Sequence, residues 1–509
     1  MKLNEEMGAG RTAASKAMSL LVVAAAVHSL MLFVPQPAHG QFQERPGQQQ
    51  EQWQQDGPQQ QQGQWQPQRP VQLERPRQQQ WQGQRPNFQG GGQGSGQAVV
   101  NNADDSLDLG PDGEQDYSFQ PGGDEGGNSN DSSPRAAGRR ASLNEIDEIM
   151  NQMLQQFHVP GGTCAVARGG KLVYAKGFGL ANLRTGEAVT PTTLFNLASC
   201  TKAISAFGAL RLQEQGKLNL DTPFWDIIGR PMTADGGPPR PRIQEITVRQ
   251  LLHHSGGWND AGGFDAAGKQ INRMAPNNQM PYSEAVRVLL QTPLDYPPGT
   301  QAKYANGQWN LLKYVMECAS QEPYGRYMHK QLRSIGIEDM VEESPNVIAG
   351  QSNRYGGNPP RMIKGGQRVV PLMPSFGNWM ATSIDLTKFL TALDGSRMQG
   401  ISQDSFNQMV APLPPPMQSD QDGKHFGLGF DTVRQMPDGI SFMKDGGKPG
   451  VHCQIIHMSN GVDFCVQFNG GASDNGGDGN PAPVAVTKIR ALLNDVKDWP
   501  NVDLFANYQ

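Results

Sequence analysis

The chain has 509 residues, 36% of them hydrophobic, and a formal net charge of −5. With 43 basic residues against 48 acidic ones and no basic run, the composition argues against a nucleic-acid partner. Apolar residues are distributed unevenly, and only the later part of the chain has the composition of a folded domain.

Residues 1–40 have the layout of a secretory signal peptide. Basic residues precede an apolar run of roughly fifteen residues, and the small residues Ala38 and Gly40 suit a cleavage site. The run is short for a membrane span, which needs about 20 residues. We expect a secreted, periplasmic or cell-envelope protein whose mature chain starts near Gln41 without a transmembrane span. A retained membrane anchor is the alternative.

Residues 41–140 are predicted to be a disordered tether. They are first rich in Gln, Pro and Gly and then in Asp, Gly and Ser. Such a segment buries too little apolar surface to offset the entropy lost on ordering. Trp53, Trp65 and Trp81, each flanked by glutamine, leave open the binding of a cell-wall polymer.

The region 141–497 opens with elements that predict one edge of a sheet. Apolar residues at helical spacing predict a helix over 146–157. The segments "GTCAVAR" and "KLVYAKGFG" then predict an antiparallel hairpin closed by two glycines. Residues 203–215 are predicted to be helical, and 217–380 combine loops with helical patches.

Strands return near the end of the chain. The segments "ISFMKDGG", "VHCQIIHMS" and "VDFCVQFNG" predict three strands, and "PVAVTKIRALLNDV" predicts a closing helix. Residues 498–509 are assigned to a C-terminal tail. We therefore predict an α+β fold, an α/β sandwich in which an antiparallel sheet from both chain ends is covered by helices and carries a mostly helical insert.

One pair of residues suggests a catalytic nucleophile. Ser199 and Lys202 lie at the start of a predicted helix, where positions i and i+3 share a face. A serine there also gains from the helix dipole and from free backbone N–H groups. A second match, Ser441 and Lys444, lies on a predicted strand, where i and i+3 face opposite ways. From this motif alone, a helix-capping Ser199 and a solvated Lys202 remain an alternative.

Two later segments, "YPPGTQAKYANGQWNLLKYVME" and "KDGGKPGVHC", complete a pattern of motifs. In chain order the motifs are Ser199-x-x-Lys202, Tyr304-Ala305-Asn306 and Lys444-Asp445-Gly446. With them the chain resembles the serine β-lactamase and penicillin-binding-protein superfamily, most closely the branch of class C β-lactamases, D-Ala-D-Ala carboxypeptidases and esterases. The likeness covers about 143–495 and implies a β-lactamase/DD-peptidase-like fold.

The resemblance implies a serine hydrolase in which Ser199 attacks a carbonyl and forms an acyl-enzyme. Lys202, its ammonium pKa lowered by burial and by Tyr304, would help to remove the hydroxyl proton, and Tyr304 would relay it. Asn306 would hold the amide side chain of the substrate. Lys444 would offer positive charge to a substrate carboxylate.

The third motif supplies the remaining parts of the implied site. Gly446 would line the substrate site, and the backbone N–H groups of Gly447 and Ser199 would form the oxyanion hole. Asp445 departs from the family, which has a hydroxyl residue there. Facing the pocket, its carboxylate would repel a substrate carboxylate, whereas strand alternation could turn it away.

The favoured hypothesis is an exported serine hydrolase that acts on amide or ester bonds, with D-amino-acid peptides or peptidoglycan-type molecules as substrates. An esterase or β-lactamase remains one alternative, and a catalytically silent cell-wall binding or assembly protein of the same fold remains another. We expect a small-molecule or peptide substrate as partner, with the cell wall as a second candidate.

Cysteine and histidine give no sign of a metal site. No spacing suggests ligands, so neither a metal nor a cofactor is expected. Five cysteines leave at least one unpaired, with one bridge conceivable among those in predicted strands, and Cys200 reads as a packed residue. "HHSGG" places His254 near a serine, but because no G-x-S-x-G elbow occurs we expect a structural role for it.

Overall fold

The computed structural model describes residues 106–107, 141–233, 239–259, 282–343, 348–363, 375–417, 423–471 and 479–508. The predicted signal peptide and nearly all of the predicted tether lie outside these residues. No helix among the described residues is long and apolar enough to cross a membrane.

The described residues form both strands and helices. The strands are β1 (Ser106–Leu107), β2 (Gly161–Arg168), β3 (Lys171–Asn182), β4 (Glu187–Ala188), β5 (Phe195–Asn196), β6 (Val341–Glu342), β7 (Tyr355–Gly356), β8 (Arg361–Ile363), β9 (Trp379–Ala381), β10 (Thr432–Met436), β11 (Gly439–Lys448), β12 (Val451–Met458) and β13 (Val462–Phe468). The helices are α1 (Glu145–Gln156), α2 (Thr201–Glu214), α3 (Phe224–Thr233), α4 (Val248–Leu252), α5 (Tyr282–Leu290), α6 (Gly307–Ser320), α7 (Tyr324–Arg333), α8 (Ser383–Leu393), α9 (Gln403–Val410) and α10 (Pro481–Asp495). Short 3-10 turns lie at Ala198–Cys200, Ile243–Glu245 and Leu504–Tyr508.

A seven-stranded antiparallel sheet forms the centre of the domain, in the order β10-β11-β12-β13-β2-β3-β4. The late strands join the early hairpin through β13 and β2, whose register runs from Val462 opposite Arg168 to Phe468 opposite Gly162. The prediction of one sheet built from both chain ends is therefore confirmed. The remaining described strands form two small three-stranded sheets, β5-β9-β6 and β1-β8-β7.

Helices cover both faces of the large sheet. On one face α1 and α10 pack together, and their buried residues, such as Met150 and Ile489, share a core with Phe464 of β13. On the other face α8 and α2 contribute Phe389 and Phe207 to a larger core with Ile455 of β12. The insert between β5 and β9 supplies α2 to α7, so the predicted helical insert is also present.

Helix α2 lies in the interior of the domain. Nearly all of its residues are buried, including Lys202 and Ser205 near its start. A helix that is buried on every side belongs to the core rather than to the surface. Its N-terminal end therefore carries the preceding Ser199 to the junction between the sheet and the helical insert.

The structure adds two segments to the domain that the sequence analysis had left outside it. Within the predicted tether, Ser106–Leu107 pairs in parallel with β8. In the predicted tail, Phe505 is fully buried, and the Arg397 guanidinium lies 4.5 Å from its ring centroid. All five cysteines are free thiols, so the conceivable disulfide is not formed.

Candidate active site

Ser199 lies in the 3-10 turn Ala198–Cys200, which runs directly into α2. Its neighbours Ala198 and Cys200 are buried, whereas Ser199 itself is partly exposed. Ala198 adopts a φ of 42°, a left-handed conformation that is costly for a residue with a side chain. Its N–H donates to Asn196 Oδ1 at 2.8 Å, which helps to hold the turn in this conformation.

Lys202, Tyr304 and Ser199 form a closed triangle of polar atoms. Lys202 Nζ is 3.0 Å from Ser199 Oγ and 2.7 Å from Tyr304 OH, and Tyr304 OH is 2.7 Å from Ser199 Oγ. Lys202 Nζ also donates to Asn306 Oδ1 at 2.7 Å and to the Phe376 carbonyl at 3.4 Å. A neutral amine that donates its two N–H groups to these two acceptors keeps its lone pair for the hydroxyls. The geometry therefore suits Lys202 as a base for Ser199.

His254 supports the ring of Tyr304. The two rings stack with centroids 4.6 Å apart and planes inclined by 25°. His254 Nδ1 accepts from the N–H of Ala305 at 3.1 Å and lies 3.0 Å from Gln308 Nε2. Burial, with the nearby amines of Lys202 and Lys444 adding to its effect, lowers the pKa of His254 well below its ordinary value. The imidazole is thus neutral, with its proton on Nε2, and fixes the segment that carries Tyr304.

Lys444 is paired with a carboxylate that the sequence analysis missed. Its Nζ lies 2.6 and 2.7 Å from the two carboxylate oxygens of Asp431, and both side chains are almost fully buried. The same Nζ is 5.1 Å from the Tyr304 ring centroid. Asp431 directly follows the segment "FGLGF" at 426–430, and its position in the chain does not by itself indicate Lys444 as its partner. Because Asp431 already balances the positive charge of Lys444, that charge is only partly available to a substrate carboxylate.

Asp445 lies on the opposite face of β11 from Lys444. Its Oδ1 accepts from Gln454 Nε2 at 2.7 Å. Met443, two residues earlier on the same face, packs against the core shared by α1 and α10, away from Ser199. Burial raises the pKa of Asp445 to about 6, although the hydrogen bond from Gln454 opposes the rise. The structure therefore does not bring this carboxylate into the group around Ser199.

Gly446 and Gly447, the two consecutive glycines near the end of β11, have different surroundings. A Cβ on Gly446 would lie 2.2 Å from the Leu197 carbonyl oxygen and 3.0 Å from the Cys200 nitrogen, whereas a Cβ on Gly447 would enter open space. At Gly446 the strand thus packs backbone to backbone against the segment that ends in the turn Ala198–Cys200. Because this turn carries Ser199, the candidate nucleophile, we call it the nucleophile turn. This contact places Gly447 and Ser199 on facing segments, as an oxyanion hole built from their N–H groups requires.

Cys200 points away from this site. Its Sγ lies 3.4 Å from the carbonyl oxygens of Lys444 and of Cys453, both in the sheet. The side chain is fully buried. The structure therefore gives Cys200 a packing role beside Ser199.

Among the described residues, one group of side chains has the types and spacing of metal ligands: Asp394, His457 and Asp463, whose ligand atoms lie within 4.8 Å of one another. His457 Nδ1 and Asp463 Oδ1 are 2.8 Å apart, as a hydrogen-bonded pair. The group adjoins the turn between β12 and β13 and includes no residue of the three motifs. The absence of a metal in catalysis stays a prediction.

The fold is a mixed α/β scaffold with an antiparallel sheet, and its candidate site groups Ser199 with Lys202 and Tyr304. Residues 146–467 match the family model described as Beta-lactamase, and the chain belongs to this family. The predicted membership of the serine β-lactamase and penicillin-binding-protein superfamily is confirmed.

Curated relatives match only parts of this chain and of their own. Protein flp of Staphylococcus aureus (strain N315) is 27% identical over 188 residues, which are 37% of this chain and 35% of that protein. Esterase EstB of Burkholderia gladioli is 32% identical over 239 residues, which are 44% of this chain and 58% of that protein. The chain thus spans less than two thirds of the length of either relative.

Solved structures show the same fold at low sequence identity. The octameric penicillin-binding protein homologue from Pyrococcus abyssi superposes with a TM-score of 0.57 at 22% identity, covering 70% of this chain and 79% of that one. The D-amino acid amidase from Ochrobactrum anthropi SV3, complexed with L-phenylalanine amide, gives 0.55 at 20% identity, covering 69% and 97%. Family and relatives together support an activity of the serine-hydrolase type.

Proposed function

We propose that the chain is an exported serine hydrolase that cleaves amide or ester bonds through an acyl-enzyme at Ser199. The observation that carries the proposal is the closed triangle of Ser199 Oγ, Lys202 Nζ and Tyr304 OH, with each edge between 2.7 and 3.0 Å. A serine hydroxyl needs a base within hydrogen-bond reach to become a nucleophile. Lys202 and Tyr304 both satisfy this condition.

The reaction follows from the positions of these atoms. Ser199 Oγ forms a bond to the substrate carbonyl carbon while its proton passes to Lys202 or Tyr304. The N–H groups of Ser199 and Gly447 stabilise the oxyanion. When the bond to the leaving nitrogen or oxygen breaks, Tyr304 returns the proton to that atom. Water then attacks the acyl carbon and gives a proton to Lys202 or Tyr304. The bond from that carbon to Ser199 Oγ breaks, the proton passes to Oγ, and the carboxylic acid leaves.

Amides and peptides of D-amino acids are the substrate class that we propose. The D-amino acid amidase shares the fold, and its name supports amide substrates. Neutral esters are a second candidate. The pairing of Lys444 with Asp431 favours them, because a lysine whose charge is already balanced gives a substrate carboxylate little advantage over a neutral group. Esterase EstB, at 32% identity over 239 residues, supports this candidate as well.

Covalent labelling of the full chain with a fluorophosphonate, and with Ser199→Ala as control, tests the nucleophile. We expect labelling of the wild-type chain alone. Values of kcat/KM for a D-amino-acid amide, a D-Ala-D-Ala peptide, a p-nitrophenyl ester and nitrocefin then separate the substrate classes. Turnover of the ester alone would favour the second candidate. A wild-type chain that is never labelled would favour a silent binding or assembly protein.

Export is tested separately by expression with residues 1–40 intact. We expect the mature protein outside the cytoplasm with an N-terminus near Gln41. A protein that stays in the cytoplasm at full length would contradict the proposed export.

A further inference from the structure

Glu343, which directly follows β6, is a buried carboxylate shared by three polar side chains. Its side chain is 1% exposed. Its Oε2 accepts from Asn196 Nδ2 at 3.1 Å and from Lys448 Nζ at 3.2 Å, and its Oε1 lies 3.3 Å from Arg354 Nη2. None of these four residues belongs to the three sequence motifs.

Two partners of Glu343 are connected to the two backbone segments of the proposed oxyanion hole, one by a hydrogen bond and one by its position in the chain. Asn196 bonds to Glu343 through its Nδ2 and, through its Oδ1, accepts from the N–H of Ala198, the residue before Ser199. Lys448 bonds to the same carboxylate oxygen and directly follows Gly447 on β11. One carboxylate therefore connects the segment that carries the Ser199 N–H with the segment that carries the Gly447 N–H.

The conformation of Ala198 shows why its segment needs an external support. A φ of 42° is unfavourable for alanine, and such conformations persist where surrounding structure fixes them. The bond from Ala198 to Asn196 supplies this support, and Glu343 in turn fixes the orientation of the Asn196 amide.

The backbone of Glu343 and the side chain of Lys448 both contact the segment 376–378. Its N–H donates to the Asn378 carbonyl, and Lys448 Nζ also lies 3.4 Å from the carbonyl of Gly377. The preceding carbonyl, that of Phe376, accepts from Lys202. The carboxylate is thus anchored to the segment that also borders the catalytic amine.

Buried ion clusters are weak contributors to stability, because desolvation of the charges offsets their attraction. Fold stability alone therefore does not account for a carboxylate held between two cations at this position. We propose that Glu343 is a positioning residue that sets the spacing and direction of the two oxyanion-hole N–H groups. The inference rests on the proposed acyl-enzyme function of Ser199 and names no contact between Glu343 and the substrate.

The test compares Glu343→Gln with the wild-type full chain. The variant keeps the shape of the side chain but loses the charge that holds Lys448 and Arg354. Loss of one oxyanion-hole donor lowers kcat by about 10²–10³. Because here both donors are displaced but not removed, we expect kcat to fall on the order of 10-fold, with KM within about 3-fold.

A merely structural role would lower the folded fraction without this signature. Rates are therefore divided by the active fraction, measured by fluorophosphonate titration, and the Ki of a phenylboronic acid is compared with KM. The boronate places a tetrahedral oxygen in the oxyanion hole, so in Glu343→Gln its Ki should rise on the order of 10-fold relative to KM. Glu342→Gln, an adjacent glutamate on β6 outside this network, is the matched control and should leave the ratio unchanged.

A second variant keeps the test open if Glu343→Gln does not fold. Lys448→Met leaves the pair of Glu343 and Arg354 intact and should raise the ratio of Ki to KM in the same direction. A labelled wild-type chain with an unchanged ratio in the folded variant overturns the inference alone. A wild-type chain that is never labelled overturns the proposed function and this inference with it.

Discussion

At the scale of single residues, the proposed function makes the reactivity of Ser199 depend on Lys202. Lys202→Met keeps most of the buried volume but removes the base. We expect the rate of fluorophosphonate labelling to fall by a factor on the order of 10²–10⁴, with little change in thermal unfolding.

Cys200→Ala is the matched control for this change. Because Cys200 Sγ faces the carbonyl oxygens of Lys444 and Cys453, labelling should persist. Loss of labelling in Cys200→Ala with normal thermal unfolding would mean that Cys200, and not Ser199, is the nucleophile.

Asp445 makes the stability of the domain depend on pH. Burial raises the pKa of its carboxyl from 3.8 to about 6, so protonation favours the folded state. This contribution is complete below pH 3.8 and is lost as the pH rises through about 6. Relative to Asp445→Asn, the wild-type free energy of unfolding should therefore fall by up to about 3 kcal/mol between pH 4 and pH 7. Urea unfolding at each pH measures the difference, and a flat difference would contradict the assignment.

Because the carboxylate of Asp445 faces away from Ser199, Asp445→Thr should leave substrate selectivity unchanged. The ratio of kcat/KM for a D-Ala-D-Ala peptide to that for a neutral ester should be equal in both proteins. A shift of this ratio toward the carboxylate-bearing peptide would show that the side chain reaches the pocket during catalysis.

The buried pair of Asp431 and Lys444 predicts a large effect from a single substitution. Asp431→Asn leaves a buried ammonium without its counter-charge, and we expect a loss of about 3–5 kcal/mol in the free energy of unfolding. The double variant Asp431→Asn with Lys444→Met should recover most of it. Asp221→Asn, which breaks a more exposed pair with Arg249, should cost about 1 kcal/mol or less. Equal losses at both sites would contradict the assignment.

At the scale of elements, the contact between β11 and the nucleophile turn depends on one glycine. Gly446→Ala would place a Cβ 2.2 Å from the Leu197 carbonyl oxygen, so strand and turn must separate. We expect a loss of about 1–3 kcal/mol in the free energy of unfolding, measured by denaturant titration. Gly447→Ala, with open space at its Cβ, should change stability by about 0.5 kcal/mol or less. Equal stabilities of the two variants would contradict this packing.

The longer elements could be predicted because their patterns are local. The helix α1 and the strands β2, β3, β11, β12 and β13 fall where alternation and helical spacing had placed them. The strands β5, β6 and β9 could not be predicted, since two or three residues carry no period. They nevertheless bring Asn196 and Glu343 to the active site.

At the scale of the whole molecule, the folded domain should survive removal of the segment before it. Helix α1 is anchored by buried Ile146, Met150 and Met153, whereas Ser106–Leu107 adds only a two-residue pairing. Brief proteolysis should therefore leave a stable core that starts between roughly 135 and 145, because exposed low-complexity backbone is cut first. Mass spectrometry identifies the fragment ends. A protected fragment that starts before Ser106 would contradict this prediction.

The C-terminal residues show the limit of composition as a guide. Residues 498–509 have no periodic pattern, yet Phe505 is buried and Asp503 accepts from the N–H of Leu172 in β3. Phe505 docks there, and Leu504 and Tyr508 pack against the same core, because the folded domain provides a site for them. Nothing in the neighbouring residues indicates that site.

The sequence by itself determined that Ser199 and Lys202 lie close together, and it determined the order of the motifs. Ser199 and Lys202 meet because positions i and i+3 on a helix share a face, and Asp445 faces away from Lys444 because strand residues alternate. These relations follow from local backbone geometry.

Only the tertiary structure decided which face of β11 meets the nucleophile turn and which carboxylates hold the cations nearby. Asp431 reaches Lys444 from a position 13 residues earlier, and Glu343 reaches Lys448 from 105 residues away. Buried charges require partners, but the identity of a partner depends on which chain segments the core brings together. Local spacing does not encode that pairing.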